Sequence, residues 1–140
     1  MLCMVRRDPH VGRREAVEMY RVVIADDCSA FLEWLKSLLD SSQDFEVISE
    51  ARDGANALQA VEAHLPDLVL ADVEMPEMDG IDIAKIMAGQ WPDIGVILIS
   101  SNNEPFYYQA AKESRALAFI AKTDLSVAAI QQALQEAGRQ

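Results

Sequence analysis

The stretch Leu68-Val-Leu-Ala-Asp72-Val-Glu-Met-Pro-Glu-Met-Asp-Gly80 is an apolar run that ends in a carboxylate and then turns. So short and continuous a run reads as a strand buried on both faces, and Pro76 and Gly80 punctuate the loop that follows. Upstream, Val22-Val-Ile-Ala25 has the same form and ends in the acidic pair Asp26-Asp27. Two such strands deliver Asp26, Asp27 and Asp72 to one edge of one sheet. Carboxylates placed together repel, and the arrangement makes sense chiefly with a hard divalent cation such as Mg²⁺ among them and one of them doing chemistry.

Working outward, the chain alternates between short β-rich runs and longer segments of helical period, the sequence form of repeated βαβ units. The strands are predicted at Tyr20 to Ala25, Phe45 to Ala51, Leu68 to Ala71, Gly95 to Ser100 and Leu117 to Ala121. Ser29 is the expected N-cap of a first helix running to Asp40, with Phe31, Leu35, Leu38 and Leu39 on one face. Asp53 caps a second, which Pro66 ends; a third runs from Ile81 to near Gly89; Pro105 opens a fourth through Ser114, with Tyr108, Ala111 and Phe106 inward. Asp124 is the expected cap of a fifth, burying Leu125, Ala128, Ala129, Ala133 and Leu134.

The expectation is an α/β fold: a doubly wound, five-stranded parallel sheet with five helices, flavodoxin-like, with strand order 2-1-3-4-5. Ligands of such folds bind beyond the carboxyl ends of the strands, where the order reverses. Here those ends carry Asp26-Asp27, Asp72, Ser100 and Lys122.

The bulk numbers bound the rest. A chain of 140 residues with 51% hydrophobic residues is one ordinary domain. A formal net charge of -11 argues against direct nucleic-acid contact by this segment, because phosphate backbones are held by clustered Lys and Arg. Two cysteines, Cys3 and Cys28, are too few for a disulfide framework, and Cys28 reads as a small packing residue. No apolar run approaches the roughly 20 residues of a membrane span, so the expected location is cytoplasmic with no membrane contact. Residues 1–19 lack a sustained apolar period and read as a flexible N-terminal extension. Met19 directly precedes the first strand, which leaves open a start placed too early.

These residues, in this order and at successive strand ends, resemble the receiver domain of two-component response regulators, and the match covers Tyr20 to Ala137. The receiver is accordingly placed at residues 20–140. The resemblance implies that Asp72 accepts a phosphoryl group from a sensor histidine kinase, with Asp26, Asp27, Asp72 and the backbone carbonyl of Glu74 holding Mg²⁺. Physical reasoning agrees: a carboxylate is a weak nucleophile towards a phosphoryl donor unless cations cancel the charge between them. Lys122 supplies a second positive charge, and Ser100 can donate a hydrogen bond to a phosphoryl oxygen. Phe119, three residues before Lys122, stands where receivers carry an aromatic residue that changes rotamer, so Ser100 and Phe119 are the implied switch pair.

Taken singly, each of these residues has a plainer reading. An acidic pair at a strand end is commonly a turn and cap, a lone Lys is usually solvated, and Phe106-Tyr107-Tyr108 fits an ordinary amphipathic helix. The constellation carries the functional reading. Thr123 follows Lys122 where many receivers place proline, and a trans bond is expected there. The segment Phe119-Ile-Ala-Lys-Thr-Asp-Leu-Ser126 is similar to receivers of the NarL/LuxR type, which precede a DNA-binding domain. The resemblance therefore implies a phosphorylation-driven switch controlling transcription through an output domain outside this chain, with homodimerisation on phosphorylation. The alternatives are a stand-alone receiver acting by protein–protein interaction and a Mg²⁺-dependent aspartyl-phosphate hydrolase. Glu74 stands where such a hydrolase carries its second Asp, so no enzymatic activity is expected beyond self-phosphorylation and slow autodephosphorylation.

Overall fold

The five apolar runs form five strands: β1 (Tyr20–Ala25), β2 (Phe45–Ala51), β3 (Leu68–Asp72), β4 (Gly95–Ser100) and β5 (Ala118–Ala121). Between and after them lie α1 (Ser29–Asp40), α2 (Gly54–His64), α3 (Gly80–Gln90), α4 (Pro105–Glu113) and α5 (Val127–Glu136). The computed structural model describes residues 19–101 and 105–138, with only the backbone of 105–107. The expected extension up to residue 18 and the side chains of Phe106 and Tyr107 lie outside the described residues. All neighbouring strands are parallel, in the order β2-β1-β3-β4-β5, as the doubly wound reading expects.

Because side chains alternate along a strand, each central strand feeds two cores. Val22, Ile24, Leu68, Leu70, Ile97 and Ile99 face α1 and α5, meeting Leu35, Leu39, Ile130 and Leu134. Val23, Ala25, Val69, Ala71 and Leu98 face the other way, towards Ala57 and Val61 of α2, Ile83 and Met87 of α3 and Ala111 of α4. Every residue of β3 and β4 is buried, which explains their unbroken apolar runs. Fully burying a Leu or Ile side chain contributes roughly 1.5–3 kcal/mol, so these two strands anchor the sheet.

Helix starts show where local rules hold and where they yield. The Asp53 side chain accepts from the Asn56 amide, and Asp79 forms a capping box with Asp82. Ser29 is not a cap: it is the first residue of α1, and the N-cap Cys28 makes no side-chain capping bond. Asp26 intervenes, its Oδ1 accepting from the Cys28 amide at 2.8 Å, and Cys28 is exposed rather than packed. Asp124 is not the cap of α5 either, because Lys122–Asp124 forms a 3-10 turn that delays the helix until Ser126, whose Oγ accepts from Ala129. That delay rotates α5 so that Ile130, rather than Ala128, faces the core. Tyr108 is likewise 50% exposed instead of inward, leaving Ala111 as the fully buried side chain among those described in α4.

One close approach ties α3 to the strand that carries Asp72. Gly80, the first residue of α3, packs its Cα against the Asp72 carbonyl, and its amide donates to the Val73 carbonyl at 3.2 Å. A methyl group at Gly80 would overlap that carbonyl oxygen, whereas one at Gly89 would meet nothing within 4 Å. Gly80→Ala is therefore expected to destabilise the protein by about 1–3 kcal/mol through overpacking. Gly89→Ala should be neutral or stabilising by up to about 1 kcal/mol, because it removes a flexible residue from a helix. Urea unfolding midpoints of the two variants measure the contrast, and equal midpoints would contradict it.

Candidate functional site

The strand register builds the site. Ala25 pairs with Ala71, so the next residues along, Asp26 and Asp72, emerge side by side at the carboxyl end of the sheet. Asp72 pairs with Ile99 and Ser100 with Ala121, which brings Ser100 and Lys122 to the same edge. Asp26, Asp72 and Ser100 are buried, Asp27 is exposed, and the Lys122 side chain is 20% exposed. Five residues expected from the sequence thus converge. Glu74, two residues past Asp72, has an exposed side chain, and its amide donates to Asp72 Oδ1 at 3.0 Å.

Lys122 is the cation among these carboxylates. Its Nζ lies 2.8 Å from Asp26 Oδ2 and 3.3 Å from Asp72 Oδ2. Both contacts are ion pairs, and that with Asp72 is also a hydrogen bond. Burial works against the Lys122 ammonium, but its contact with Asp26 and the charges of Asp72 and Asp26 outweigh this and raise its pKa above the ordinary value. Asp72 is pushed up from 3.8 to about 6, first by burial and then by the negative charge of Asp26, against the lowering effects of the Glu74 amide and Lys122.

One ammonium facing three carboxylates leaves net negative charge at the strand ends. One oxygen each from Asp26, Asp27 and Asp72 lies within 4.8 Å of the others, a spacing that modest side-chain adjustment brings to the shell of a small divalent cation. The all-oxygen donor set, with one ammonium shared between Asp26 and Asp72, fits such an ion. With a cation in place, the arrangement suits an anionic electrophile: Asp72 offers the nucleophilic oxygen, and Lys122 counters the incoming charge.

Two contacts escaped the sequence reading. The Phe31 ring, assigned only to the core face of α1, lies under Lys122 with Nζ 4.1 Å from its centroid. Arg52, in the loop between β2 and α2, donates from Nη2 to the Asp27 carbonyl at 3.4 Å. Both depend on topology, since neither is near its partner in sequence. Phe119 packs beside Tyr108 with ring centroids 4.7 Å apart, and the Lys122–Thr123 peptide bond is trans.

Residues 22–135 match the family described as the response regulator receiver domain. The probable transcriptional regulatory protein NarL of Mycobacterium tuberculosis is 39% identical over 105 residues, covering 75% of this chain and 49% of that protein. The chain spans about half or less of the length of the first curated relatives it matches. The solved signal receiver domain of NarL from Mycobacterium tuberculosis superposes with a TM-score of 0.76 at 37% identity, covering 83% of this chain and 97% of that one. A complex of CheX with CheY, BeF3 and Mg²⁺ from Borrelia burgdorferi is similar at a TM-score of 0.75 and 27% identity, covering 86% of this chain and 90% of that one. Among the described residues no helix is long and apolar enough to cross a membrane.

The raised pKa of Asp72 carries a stability consequence in the metal-free protein. Folding favours the protonated carboxyl, so its stabilising contribution is present below about pH 4 and is lost as pH rises through about 6. Asp72→Asn, which keeps the shape without the charge, should therefore be more stable than the wild type at pH 7, by about 1 kcal/mol after solvent screening. The advantage should shrink towards pH 4. Denaturant unfolding at the two pH values checks this, and an Asn variant less stable than the wild type at pH 7 contradicts it.

Proposed function

The chain belongs to the response regulator receiver domain family of two-component systems, and from that premise we propose that it is a phosphorylation-driven switch with Asp72 as its acceptor. The observation that carries the proposal is the meeting of Asp26, Asp27 and Asp72 with a single ammonium, that of Lys122, at one sheet edge. The proposed donor is a phosphohistidine of a sensor kinase. An Asp72 carboxylate oxygen attacks phosphorus, a P–O bond forms, and the bond to the donor nitrogen breaks with its electron pair leaving on the imidazole.

Asp26, Asp27, Asp72 and the Glu74 backbone carbonyl are the proposed Mg²⁺ ligands, in keeping with the Mg²⁺ named in the Borrelia burgdorferi complex. When bound, the ion neutralises charge between the acceptor and the phosphoryl oxygens. Asp26 is held for this role by backbone bonds on both sides: its amide donates to Ala51 and its Oδ1 accepts from Cys28. Lys122 forms an ion pair with a phosphoryl oxygen, and the Ser100 hydroxyl donates to another. Burial at this edge limits water, which strengthens each of these charge-assisted contacts.

The change is proposed to reach the surface through β5. Phe119 sits on β5, which leads directly into Lys122, and its ring meets Tyr108 beside a groove of about 550 Å³ between α4 and β5. That groove, together with α5, is the proposed output face, used for binding a partner or a second phosphorylated copy. Since this chain's relatives include proteins named as transcriptional regulators, the proposed output is control of transcription through a domain outside residues 1–140. The proposed setting is cytoplasmic.

Incubation with acetyl phosphate and Mg²⁺, followed by intact-protein mass measurement, tests the assignment. The wild type should gain one phosphoryl group, Asp72→Asn none, and Asp27→Ala should need a higher Mg²⁺ concentration for the same rate. Stoichiometric label in Asp72→Asn, or an unchanged Mg²⁺ dependence in Asp27→Ala, would refute the respective role.

A further inference from the structure

Lys122 has a third neighbour besides its two carboxylates, and that neighbour is an aromatic face. Phe31 stands in the first turn of α1, half-buried against the core beneath α1 and α5, with the Lys122 ammonium 4.1 Å from its ring centroid. Its ring also lies beside that of Trp34, with ring centroids 5.5 Å apart. An ammonium within about 6 Å of a ring centroid is attracted by the ring quadrupole, and more so when partly desolvated. The Lys122 side chain is 20% exposed, so the contact lies at a partly buried edge of the site.

We infer that Phe31 is a positioning residue for Lys122: its ring keeps the ammonium at the mouth of the site when the carboxylates turn to other partners. The inference rests on the proposed acceptor role of Asp72 and deepens it. In the structure Lys122 leans on Asp26 Oδ2 and Asp72 Oδ2, two groups also assigned to the metal. Both carboxylates must share their charge with a divalent cation, which weakens their hold on the ammonium. Released from them, a lysine on a four-carbon stem has solvent as its default alternative. The ring changes that balance, because its attraction for a cation involves no group that a metal or a phosphoryl oxygen needs. It holds the charge without using the N–H donors directed elsewhere, so Lys122 stays poised to meet the incoming phosphoryl group.

The role belongs to the π face rather than to bulk alone, and this separates it from ordinary packing. Phe31→Tyr keeps the face; Phe31→Leu and Phe31→Met keep an apolar side chain without it. With phosphoramidate and Mg²⁺ as donor, the Leu and Met variants should be phosphorylated about three- to tenfold more slowly than the wild type, and the Tyr variant within about twofold of it. Two apolar replacements guard against a packing fault peculiar to one of them. Nuclear magnetic resonance supplies a readout independent of phosphorylation: the Lys122 ε-methylene protons, identified by their loss in Lys122→Arg, should be shifted upfield by the ring current. That shift should vanish in Phe31→Leu and persist in Phe31→Tyr. Wild-type rates in both apolar variants, a Tyr variant as slow as Leu, or the lack of an upfield shift in the wild type would each overturn the inference. A wild type that takes no label from phosphoramidate would overturn the acceptor assignment, on which the inference rests, while the resonance measurement still decides whether the ring holds the lysine.

Discussion

The structure depends on a charge imbalance at one edge of its sheet: Asp26 and Asp72 are buried side by side with one ammonium, Lys122, against both. Bringing two carboxylates out of water is costly, and one cation compensates them only in part. The cost appears in the raised pKa of Asp72. A fold under selection for stability alone has no use for this arrangement, since apolar residues at the same strand ends would pack without penalty. In the proposed function the excess charge is a socket for a cation, with the proposed acceptor, Asp72, built into its wall.

The rest of the architecture keeps that socket in register. Parallel pairing of β1 with β3 sets Asp26 beside Asp72, and pairing through β4 and β5 brings Lys122 across the sheet to meet them. Gly80 allows α3 to start against the Asp72 carbonyl, so the loop after the acceptor is short and braced at both ends. Lys122 also links the site to α1 and, through β5, to α4. The strand that leads into it carries Phe119, whose ring touches Tyr108 of α4, and its ammonium rests on Phe31 of α1. In the proposed switch, one group senses charge at the acceptor and is mechanically continuous with the surface that reads it. A shift in that group's partners can bias two states only to the extent that it favours one of them, and each 1.4 kcal/mol of difference changes their ratio about tenfold.

Much of this is legible in the sequence because strand ends and strand faces obey short-range rules. A buried parallel strand reads as an unbroken apolar run, and the residue that ends the run is at the sheet's edge whatever the tertiary details. Asp26, Asp72, Ser100 and Lys122 could therefore be placed together once the alternation of elements was recognised. Helix rotation and caps were less legible because they are settled between elements. Asp26 engages the Cys28 amide, which displaces the cap from Ser29, and the 3-10 turn after Lys122 displaces the next cap from Asp124 to Ser126. That short turn shifts the buried face of α5 from Ala128 to Ile130, and packing at Ala111 leaves Tyr108 outward. The Phe31–Lys122 contact was hidden for the same reason, since it joins the first helix to the turn after the last strand.

The central claim is that the imbalance at the sheet edge is a socket for Mg²⁺ beside a phosphoryl acceptor. A crystal structure of the protein with Mg²⁺ and beryllofluoride tests it most directly. The account predicts beryllium bonded to an Asp72 oxygen, one Mg²⁺ reached by Asp26, Asp27 and the Glu74 carbonyl, and Lys122 turned from Asp26 towards a fluorine while still lying on the Phe31 ring. Beryllofluoride on a different carboxylate, or Mg²⁺ bound elsewhere while Lys122 keeps its contact with Asp26, would contradict it.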